Sequence, residues 1–258
     1  MHTYYRQQGD TGHVVVLIHG VGLDHCMWDE VAGCLVAAGH RAVRYDLLGH
    51  GRTPPLQRDV GLQDFTAQLD ALLRDLNIKA AAVVGFSLGA LVARDYAVRC
   101  PARLSHLVLL NSVFARSEQQ RDVVQRRYHQ ARERGSSTLI DAALERWFSD
   151  AFAQASPLVL AQVRERLHSN EPGGFLPAYK LFAEAEDESV EQLRAIDVPT
   201  LVITGAEDPG STPAMSARLA QCIPHAQLQV LEGAKHMLPV ENARWLSEAV
   251  QDFIAANV

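Results

Sequence analysis

The sequence predicts an α/β domain in which about seven or eight mostly parallel strands form a twisted sheet with helices on both faces. Short β-branched runs alternate with longer helical patterns, which is typical of βαβ units. Most of these runs are almost wholly apolar, as expected of strands that helices cover on both faces. Between residues 113 and 196 only helical patterns follow one another, so this stretch predicts an inserted helical layer.

The predicted sheet starts with an alternating segment at about 2–7, which we expect to pair antiparallel at an edge. The other strands are predicted at 13–18, 41–46, 81–86, 106–111, 200–205 and 226–231.

Apolar residues at helical spacing mark the segments between the strands. The segment 62–76 and a final helix at about 240–255 should each place one apolar stripe on the sheet. The insertion is predicted to hold four helices, at 117–134, 138–153, 157–169 and 174–186. The predicted domains are therefore a core of residues 1–113 and 197–258 and a helical cap of residues 114–196.

The composition is that of an ordinary globular protein, with 258 residues of which 48% are hydrophobic and 21% charged. A net charge of −6 provides no basic face for nucleic acid and disfavours an anionic membrane surface. No apolar run reaches the roughly 20 residues of a membrane helix, and residues 1–10 lack the regions of a signal peptide. We therefore expect a cytoplasmic protein that binds neither nucleic acid nor membrane, with its oligomeric state left open.

Gly85-Phe86-Ser87-Leu88-Gly89 has the pattern G-x-S-x-G and joins a predicted strand to a predicted helix. Glycine on either side removes side chains that would collide in a chain reversal sharp enough to present Ser87 above the sheet. The pattern alone is weak, because Ser87 could equally be a small residue in a tight turn. A hydroxyl is a poor nucleophile until a base removes its proton, so the test is whether a base and an acid lie nearby.

An acid and a histidine follow the last two predicted strands. Asp208 comes after the next-to-last strand and His236 after the last. Because ligands bind at the carboxyl ends of parallel strands, both side chains should lie near Ser87. Glu207 is the alternative acid, Asp208 could instead shape a turn, and His236 could be a solvated loop residue. The combination favours a catalytic triad of Ser87, Asp208 and His236.

Attack on a carbonyl also requires donors for the oxyanion, and backbone N–H groups serve because they are in place before reaction. We assign the N–H of Leu88 and that of Val21, in the glycine-rich loop after the first parallel strand, with Gly22 as the alternative to Val21. His19 in the same loop is interpreted as structural.

These features resemble the α/β-hydrolase superfamily. The matching stretches are HGVG at 19–22, Trp28, YDLLGHGRT at 45–53, GFSLGA at 85–90, Asp208 in TGAEDPGSTPAM and His236 in GAKHMLPVEN. Size, the four-helix cap and the phrase PGSTPAMSARLAQCIP are most similar to the 3-oxoadipate enol-lactonase and carboxylesterase group. Met1 falls about where the second strand of the family would start, so the first strand usual in the family is expected to be absent.

The resemblance implies a serine hydrolase, a carboxylesterase or lactonase, with Ser87 as nucleophile, His236 as base and Asp208 as its orienting acid. Its expected partner is a small-molecule ester or (enol-)lactone. Two alternatives stay open: the same triad could cleave a carbon–carbon bond of an aromatic ring-fission product, or the fold could serve a ligand-sensing protein.

Gly22, Phe86 and Trp147 are the candidate substrate-binding residues. Further aromatic residues could line the pocket, although aromatics at helical spacing are more often core: Trp28, Phe148, Phe152, Phe175 and Tyr179. Arginines crowd the first cap helix, at 116, 121, 126, 127, 132 and 134. They could bind an anion, but a solvated face is favoured because acidic residues outnumber basic ones in the insertion.

No cofactor is expected. Gly20 and Gly22 follow the first parallel strand, but His25 stands where a dinucleotide-binding G-x-G-x-x-G needs its third glycine. The four cysteines have neither C-x-x-C spacing nor histidine partners at zinc-ligand spacing, so we expect buried thiols and no metal.

Overall fold

A seven-stranded sheet crosses the molecule, in a computed structural model that describes residues 2–257. Its strands are β1 (Tyr5–Gln8), β2 (Val14–Ile18), β3 (Arg41–Tyr45), β4 (Ala81–Phe86), β5 (Leu104–Leu110), β6 (Thr200–Gly205) and β7 (Gln227–Leu231). Their spatial order is β1-β3-β2-β4-β5-β6-β7. Only β1 pairs antiparallel, at the edge beside β3, so the predicted mostly parallel sheet with an antiparallel edge strand is confirmed.

The apolar strands bury both of their faces, because successive side chains point to opposite sides of a sheet. In β2, Val16 and Ile18 belong to one hydrophobic cluster, while Val15 and Leu17 belong to the cluster on the opposite face. All four side chains are fully buried. This explains why the central strands read as continuous apolar runs rather than as alternating patterns.

Helices of the core cover the two faces. They are α1 (Asp29–Ala37), α2 (Leu62–Asp75), α3 (Leu88–Arg99), α10 (Pro213–Cys222), α11 (Leu238–Glu241) and α12 (Ala243–Ala256). The predicted stripe of α2 packs into one cluster through Phe65 and Leu69, and that of α12 into the other through Leu246 and Val250. Both helices therefore occupy the positions that their apolar periodicity predicts.

Between β5 and β6 the chain forms only helices, as predicted for the cap. They are α4 (Glu118–Arg134), α5 (Ile140–Trp147), α6 (Asp150–Ala155), α7 (Pro157–His168), α8 (Pro172–Glu184) and the short α9 (Val190–Arg194). In place of the single helix predicted at 138–153 there are two, because Phe148 is extended and the Ser149 side chain accepts the N–H of Phe152 to start α6. Apolar spacing continues across this break, so the spacing alone suggested one helix.

A buried arginine connects the end of the cap to the core. Arg94, on α3, lies 2.5 Å from Glu188 and 3.4 Å from Asp187, and also donates to the carbonyl of Val113. Among the helices of residues 2–257, none is long and apolar enough to cross a lipid bilayer.

Candidate active site

Ser87 occupies a strained position between β4 and α3. Its φ of +54° and ψ of −112° lie outside the regions that non-glycine residues normally adopt. This sharp turn is possible because the residues on either side are glycines without side chains. A Cβ on Gly85 would overlap the backbone of Gly89, and a Cβ on Gly89 would overlap the carbonyl of Ile18. The backbone N–H of Ser87 donates to the carbonyl of Leu110, 3.0 Å away, which holds the turn against β5.

Asp208 and His236 form a buried pair at the ends of β6 and β7. The Nδ1 atom of His236 lies 2.6 Å from Oδ2 of Asp208. Burial by itself raises the pKa of Asp208, but the charge and hydrogen bond of His236, the N–H of Ser211 and the amide of Asn111 outweigh it and lower the pKa below its usual value. Glu207, the alternative acid, is exposed. Of the two acids, Asp208 is therefore the one that is hydrogen-bonded to His236.

The cap holds the histidine loop in place. The carbonyl of Trp147, the last residue of α5, accepts the backbone N–H groups of both His236 and Met237 at 3.0 Å. The imidazole also packs against two aromatic rings, with its centroid 4.9 Å from that of Phe86 and 6.0 Å from that of Trp147. The position of His236 thus depends on the cap as well as on the sheet.

The loop after β2 presents the other part of the site. Its Gly22 N–H donates to Nε2 of His50 at 3.0 Å, so this N–H is engaged elsewhere. Val21 borders the same cavity as Ser87, and Leu88 is the first residue of α3. The geometry therefore favours Val21 over Gly22 as the partner of Leu88 in donating to an oxyanion.

His19 has a structural role in this loop. Its Nε2 accepts the N–H of Leu47 at 2.9 Å, and its Nδ1 lies 2.7 Å from the carbonyl of Gly20. Burial lowers the pKa of His19 to about 3, helped by the neighbouring His50. A neutral imidazole that accepts through one nitrogen and donates through the other matches both contacts.

A cavity of about 310 Å³ lies between the sheet and the cap. Ser87, Asp208 and His236 all border it, so three residues that are distant in the sequence meet at one space. Trp147, Phe175 and Tyr179 are also on its wall, as a substrate-binding role requires.

The other substrate-binding candidates do not border the cavity. Phe86 is 1% exposed and packs against the ring of His236. Gly22 is hydrogen-bonded to His50 and Asn170. Neither residue is on the cavity wall in the part of the chain that the structure describes. Trp28 and Phe148 are core residues, and Phe152 borders a separate groove. A direct substrate contact therefore remains a proposal for Trp147 alone among the three candidates.

Two residues at the site were not among the sequence-based candidates, Asn111 and Arg146. Asn111, directly after β5, donates to Oδ2 of Asp208 at 2.8 Å, and its place at a strand end was the available signal. Arg146 lines the cavity together with Arg116 and Arg127. The last two belong to the arginine run for which a solvated face was favoured over anion binding, and helical periodicity did not indicate which arginines face inward.

Asp24, His25 and Cys26 are the one group of possible metal ligands found in residues 2–257. The donors are already engaged: Asp24 pairs with Arg166, and Nδ1 of His25 lies 2.7 Å from Asp46. The expectation of four buried thiols is wrong, since Cys34, Cys100 and Cys222 are half-buried and Cys26 is exposed. Cys26 is exposed because in the 3-10 turn at 25–28 the positions 25 and 28 face inward. Although the residue is exposed, partial desolvation of its sulfur and the nearby carboxylates raise the pKa of Cys26 to about 11, which disfavours the thiolate that metals bind.

Comparison with known proteins agrees with this architecture. The protein is 28% identical over 97% of its length to (E)-2-((N-methylformamido)methylene)succinate hydrolase of Acinetobacter baylyi, covering 93% of that protein. It is 28% identical over 92% of its length to 3-oxoadipate enol-lactonase 2 of the same organism, covering 86% of it. The crystal structure of the enol-lactonase from Burkholderia xenovorans LB400 superposes with a TM-score of 0.90 at 29% identity, covering 98% of this chain and 96% of that one.

The model of the alpha/beta hydrolase family matches residues 15–249, which include β3 to β7, all of β2 except its first residue, and the whole of the candidate site. The strand order and the similarity to enol-lactonases indicate the same family as this match. The chain belongs to the α/β-hydrolase family and is a hydrolase close to its enol-lactonases.

Proposed function

We propose that this hydrolase cleaves a carboxylic ester or lactone of a small molecule through an acyl-enzyme on Ser87. The observation that carries the proposal is the buried Asp208–His236 pair, which opens onto the same cavity as the strained Ser87. A cavity of about 310 Å³ is at the small end of ligand sites, which favours a compact substrate over a long acyl chain.

The proposed reaction begins with proton transfer. Asp208 accepts from Nδ1 of His236, which leaves Nε2 of the imidazole as the base for the Ser87 hydroxyl. The serine oxygen attacks the ester carbonyl, and the N–H groups of Val21 and Leu88 stabilise the oxyanion that forms. His236 then donates its proton to the departing alkoxide and activates the water that releases the acid.

The first test removes the nucleophile and the base separately. We expect Ser87→Ala and His236→Ala each to lower kcat by roughly 10³-fold or more, because the members of a triad act as a unit. Ser137→Ala and His168→Ala change exposed cap residues of the same types and should keep wild-type rates. Retention of wild-type ester hydrolysis by either site variant would contradict the proposal.

A second test looks for the covalent intermediate. A 4-nitrophenyl alkylphosphonate should phosphonylate the Ser87 hydroxyl with release of 4-nitrophenol, and mass spectrometry of the digested protein should find the phosphonyl mass on the peptide that contains this residue. The same reagent should not modify the Ser87→Ala variant. Labelling of another residue in the site would place the nucleophile elsewhere.

Carbon–carbon bond cleavage by the same triad is the alternative reaction. A screen of esters, lactones and aromatic ring-fission products, with Ser87→Ala as the blank, separates the two. Turnover of ring-fission products combined with inert esters and lactones would replace the proposed reaction by the alternative.

A further inference from the structure

We infer that Glu241 is a positioning residue, which ties the loop that carries His236 to the cap through Ser149 and so keeps the imidazole in place to act as a base. The inference rests on the proposed function, because it concerns the base of the same reaction. The segment 235–241 is the histidine loop, and the contact between Glu241 and Ser149 is called the loop anchor below.

The loop anchor consists of two hydrogen bonds between the same two residues. Oε2 of Glu241 accepts the backbone N–H of Ser149 at 3.1 Å, and Oε1 accepts the Ser149 hydroxyl. Both residues are half-buried. Hydrogen bonds to an ionised acceptor are roughly twice as strong as those between neutral groups. Glu241 therefore fastens the histidine loop of the core to the cap by two contacts that act together.

A single turn of chain transmits the loop anchor to His236. The short helix α11 begins two residues after His236, and the N–H of Glu241 at its end donates to the carbonyl of Met237 at 2.8 Å. Pro239 inside this turn has a fixed φ, so the backbone has little freedom to change shape. A displacement of Glu241 therefore moves the backbone of His236 with it.

The break between α5 and α6 makes the groups of the cap available. Because α5 ends at Trp147, the carbonyl of this residue has no partner within the helix, and it accepts two N–H groups of the histidine loop instead. Ser149 precedes α6, so its N–H is free to donate to Glu241. A helix that continued through Phe148 would use both groups internally. The break thus exposes the contacts that hold the loop.

The carboxylate of Glu241 has no cation as a partner. Among the ion pairs within 4.0 Å that residues 2–257 form, none includes Glu241. Arg244, the nearest arginine along the chain, pairs with Glu30. Partial burial of a charge is unfavourable unless hydrogen bonds compensate for it. The two bonds from Ser149 provide this compensation, so loss of the loop anchor leaves neither partner satisfied.

Lys235 makes a second, weaker contact between the histidine loop and the cap. Its Nζ donates to the carbonyl of Glu145 at 3.1 Å and lies 3.3 Å from Asp150. The side chain of Asp150 is 91% exposed, so water and salt screen this ion pair. Removing the charge of Asp150 should therefore leave the loop in place, whereas removing Glu241 should release it.

Kinetics with 4-nitrophenyl acetate test the loop anchor. Glu241→Ala should lower kcat by about 10- to 100-fold, because both the formation and the hydrolysis of an acyl-enzyme need an aligned base. KM should change by less than about threefold, since Glu241 does not border the cavity in the described part of the chain. Asp150→Asn and Glu248→Gln change exposed acids and should stay within about twofold of wild type. A wild-type kcat in Glu241→Ala would overturn the inference.

A charge introduced at Ser149 tests whether Glu241 acts through this residue. Ser149→Asp retains a side-chain oxygen that can start α6 but places a second carboxylate against Glu241, so kcat should fall by about 10-fold. Adding Glu241→Gln replaces the repulsion by an amide that can donate to the aspartate, and kcat should then rise by about fivefold. A double variant that is no faster than Ser149→Asp would show that Glu241 does not act through Ser149.

Hydrogen exchange reports on the loop without any substrate. The N–H groups of His236 and Met237 that donate to Trp147 should exchange at least about 10-fold faster in Glu241→Ala. Peptides from β4 and β6 should exchange as in the wild type, which shows that the fold is intact. Wild-type exchange of the histidine loop in this variant would contradict the loop anchor even if kcat fell.

The exchange data separate this inference from the proposed function. If no ester or lactone is cleaved but exchange of the histidine loop accelerates in Glu241→Ala, the proposed function fails while the loop anchor stands. If Ser87→Ala abolishes ester hydrolysis but Glu241→Ala keeps both wild-type kcat and wild-type loop exchange, the loop anchor fails while the proposed function stands.

Discussion

The carboxylate of Asp208 is surrounded by donors from four residues. The N–H groups of Gly210 and Ser211 donate to Oδ1 at 2.8 and 3.0 Å, while Asn111 and His236 lie 2.8 and 2.6 Å from Oδ2. Hydrogen bonds to the charged form favour ionisation, which is why a buried acid keeps a low pKa here. The acid is thereby held both ionised and in one orientation towards the imidazole.

The acid position provides a direct prediction. Asp208→Asn should lower kcat/KM for a neutral ester by about 10⁴-fold at pH 7.5, because an amide cannot hold the imidazole in the tautomer that leaves Nε2 as a base. Glu207→Gln removes the adjacent, exposed carboxylate and should leave the rate within twofold of wild type. A larger loss in the Glu207 variant than in the Asp208 variant would exchange the roles of the two acids.

At the level of elements, the joint between β4 and α3 depends on close backbone approach. Gly89 in the first turn of α3 lies against the carbonyls of Ile18 and His19 at the end of β2, so a side chain there has no room. Gly33 in the middle of α1 meets no atom within 4 Å of an added Cβ and is exposed. Both glycines therefore lie in helices, but only Gly89 is required by close packing, whereas Gly33 has room for a side chain.

Alanine at these positions should have opposite effects. Gly89→Ala should lower the free energy of unfolding by about 1–3 kcal/mol, because overpacking must displace either α3 or β2. Gly33→Ala should raise it by about 1 kcal/mol, since alanine loses less conformational entropy in an exposed helix interior. Urea unfolding monitored by circular dichroism measures both changes. A stability increase in both variants would show that β2 and α3 do not approach as closely as described.

At the level of the whole molecule, neutral buried histidines hold two loops together beneath the site. His19 accepts from Leu47, while His50 accepts from Gly22, so each loop donates to a histidine of the other. The rings lie 5.2 Å apart. Burial lowers the pKa of His50 to about 4, as it does that of His19 to about 3, so protonation of either ring opposes the native contacts.

This arrangement predicts loss of stability in mild acid. Both histidines have the ordinary value of 6.5 when unfolded, so the unfolded chain binds more protons than the native one below pH 6.5. The stabilisation that comes from keeping both histidines neutral is complete above pH 6.5 and decreases as the pH falls towards their pKa values in the folded protein. Near pH 5 the free energy of unfolding should drop by about 2–3 kcal/mol per pH unit.

Urea unfolding at pH 7, 6 and 5 measures the dependence. His50→Gln retains an acceptor for the Gly22 N–H, and its unfolding should take up about one proton fewer, so that the free energy of unfolding changes less with pH. His168→Gln changes an exposed position and should leave this pH dependence as in the wild type. An unfolding free energy that is the same at pH 7 and pH 5 would contradict a neutral buried pair.

Much of this molecule could be predicted from local patterns. Apolar runs such as 13–18 and 81–86 identified β2 and β4 within one residue, since strands covered on both faces have a composition that no exposed segment shares. The motif around Ser87 and the strand-end positions of Asp208 and His236 likewise followed from the chain order, because parallel strands bring their carboxyl ends to one edge.

Other features depended on atoms that are distant in sequence. No local pattern connects Asn111 with Asp208, the carbonyl of Trp147 with the histidine loop, or Gly22 with His50. The break at Phe148 was also invisible, because apolar periodicity describes which side of a helix is buried and says little about where one helix ends and the next begins.

The sequence by itself determined the fold class and the three candidate catalytic residues, because strand composition and chain order are local and one-dimensional. The tertiary structure alone decided which cap arginines face the cavity. Arg126 and Arg127 are neighbours in the sequence, and only the packing of α4 on α8 directs the second towards the cavity and the first into solvent. Burial is a property of the packed helices, and it places the same type of side chain in solvent at one position and on the cavity wall at the next.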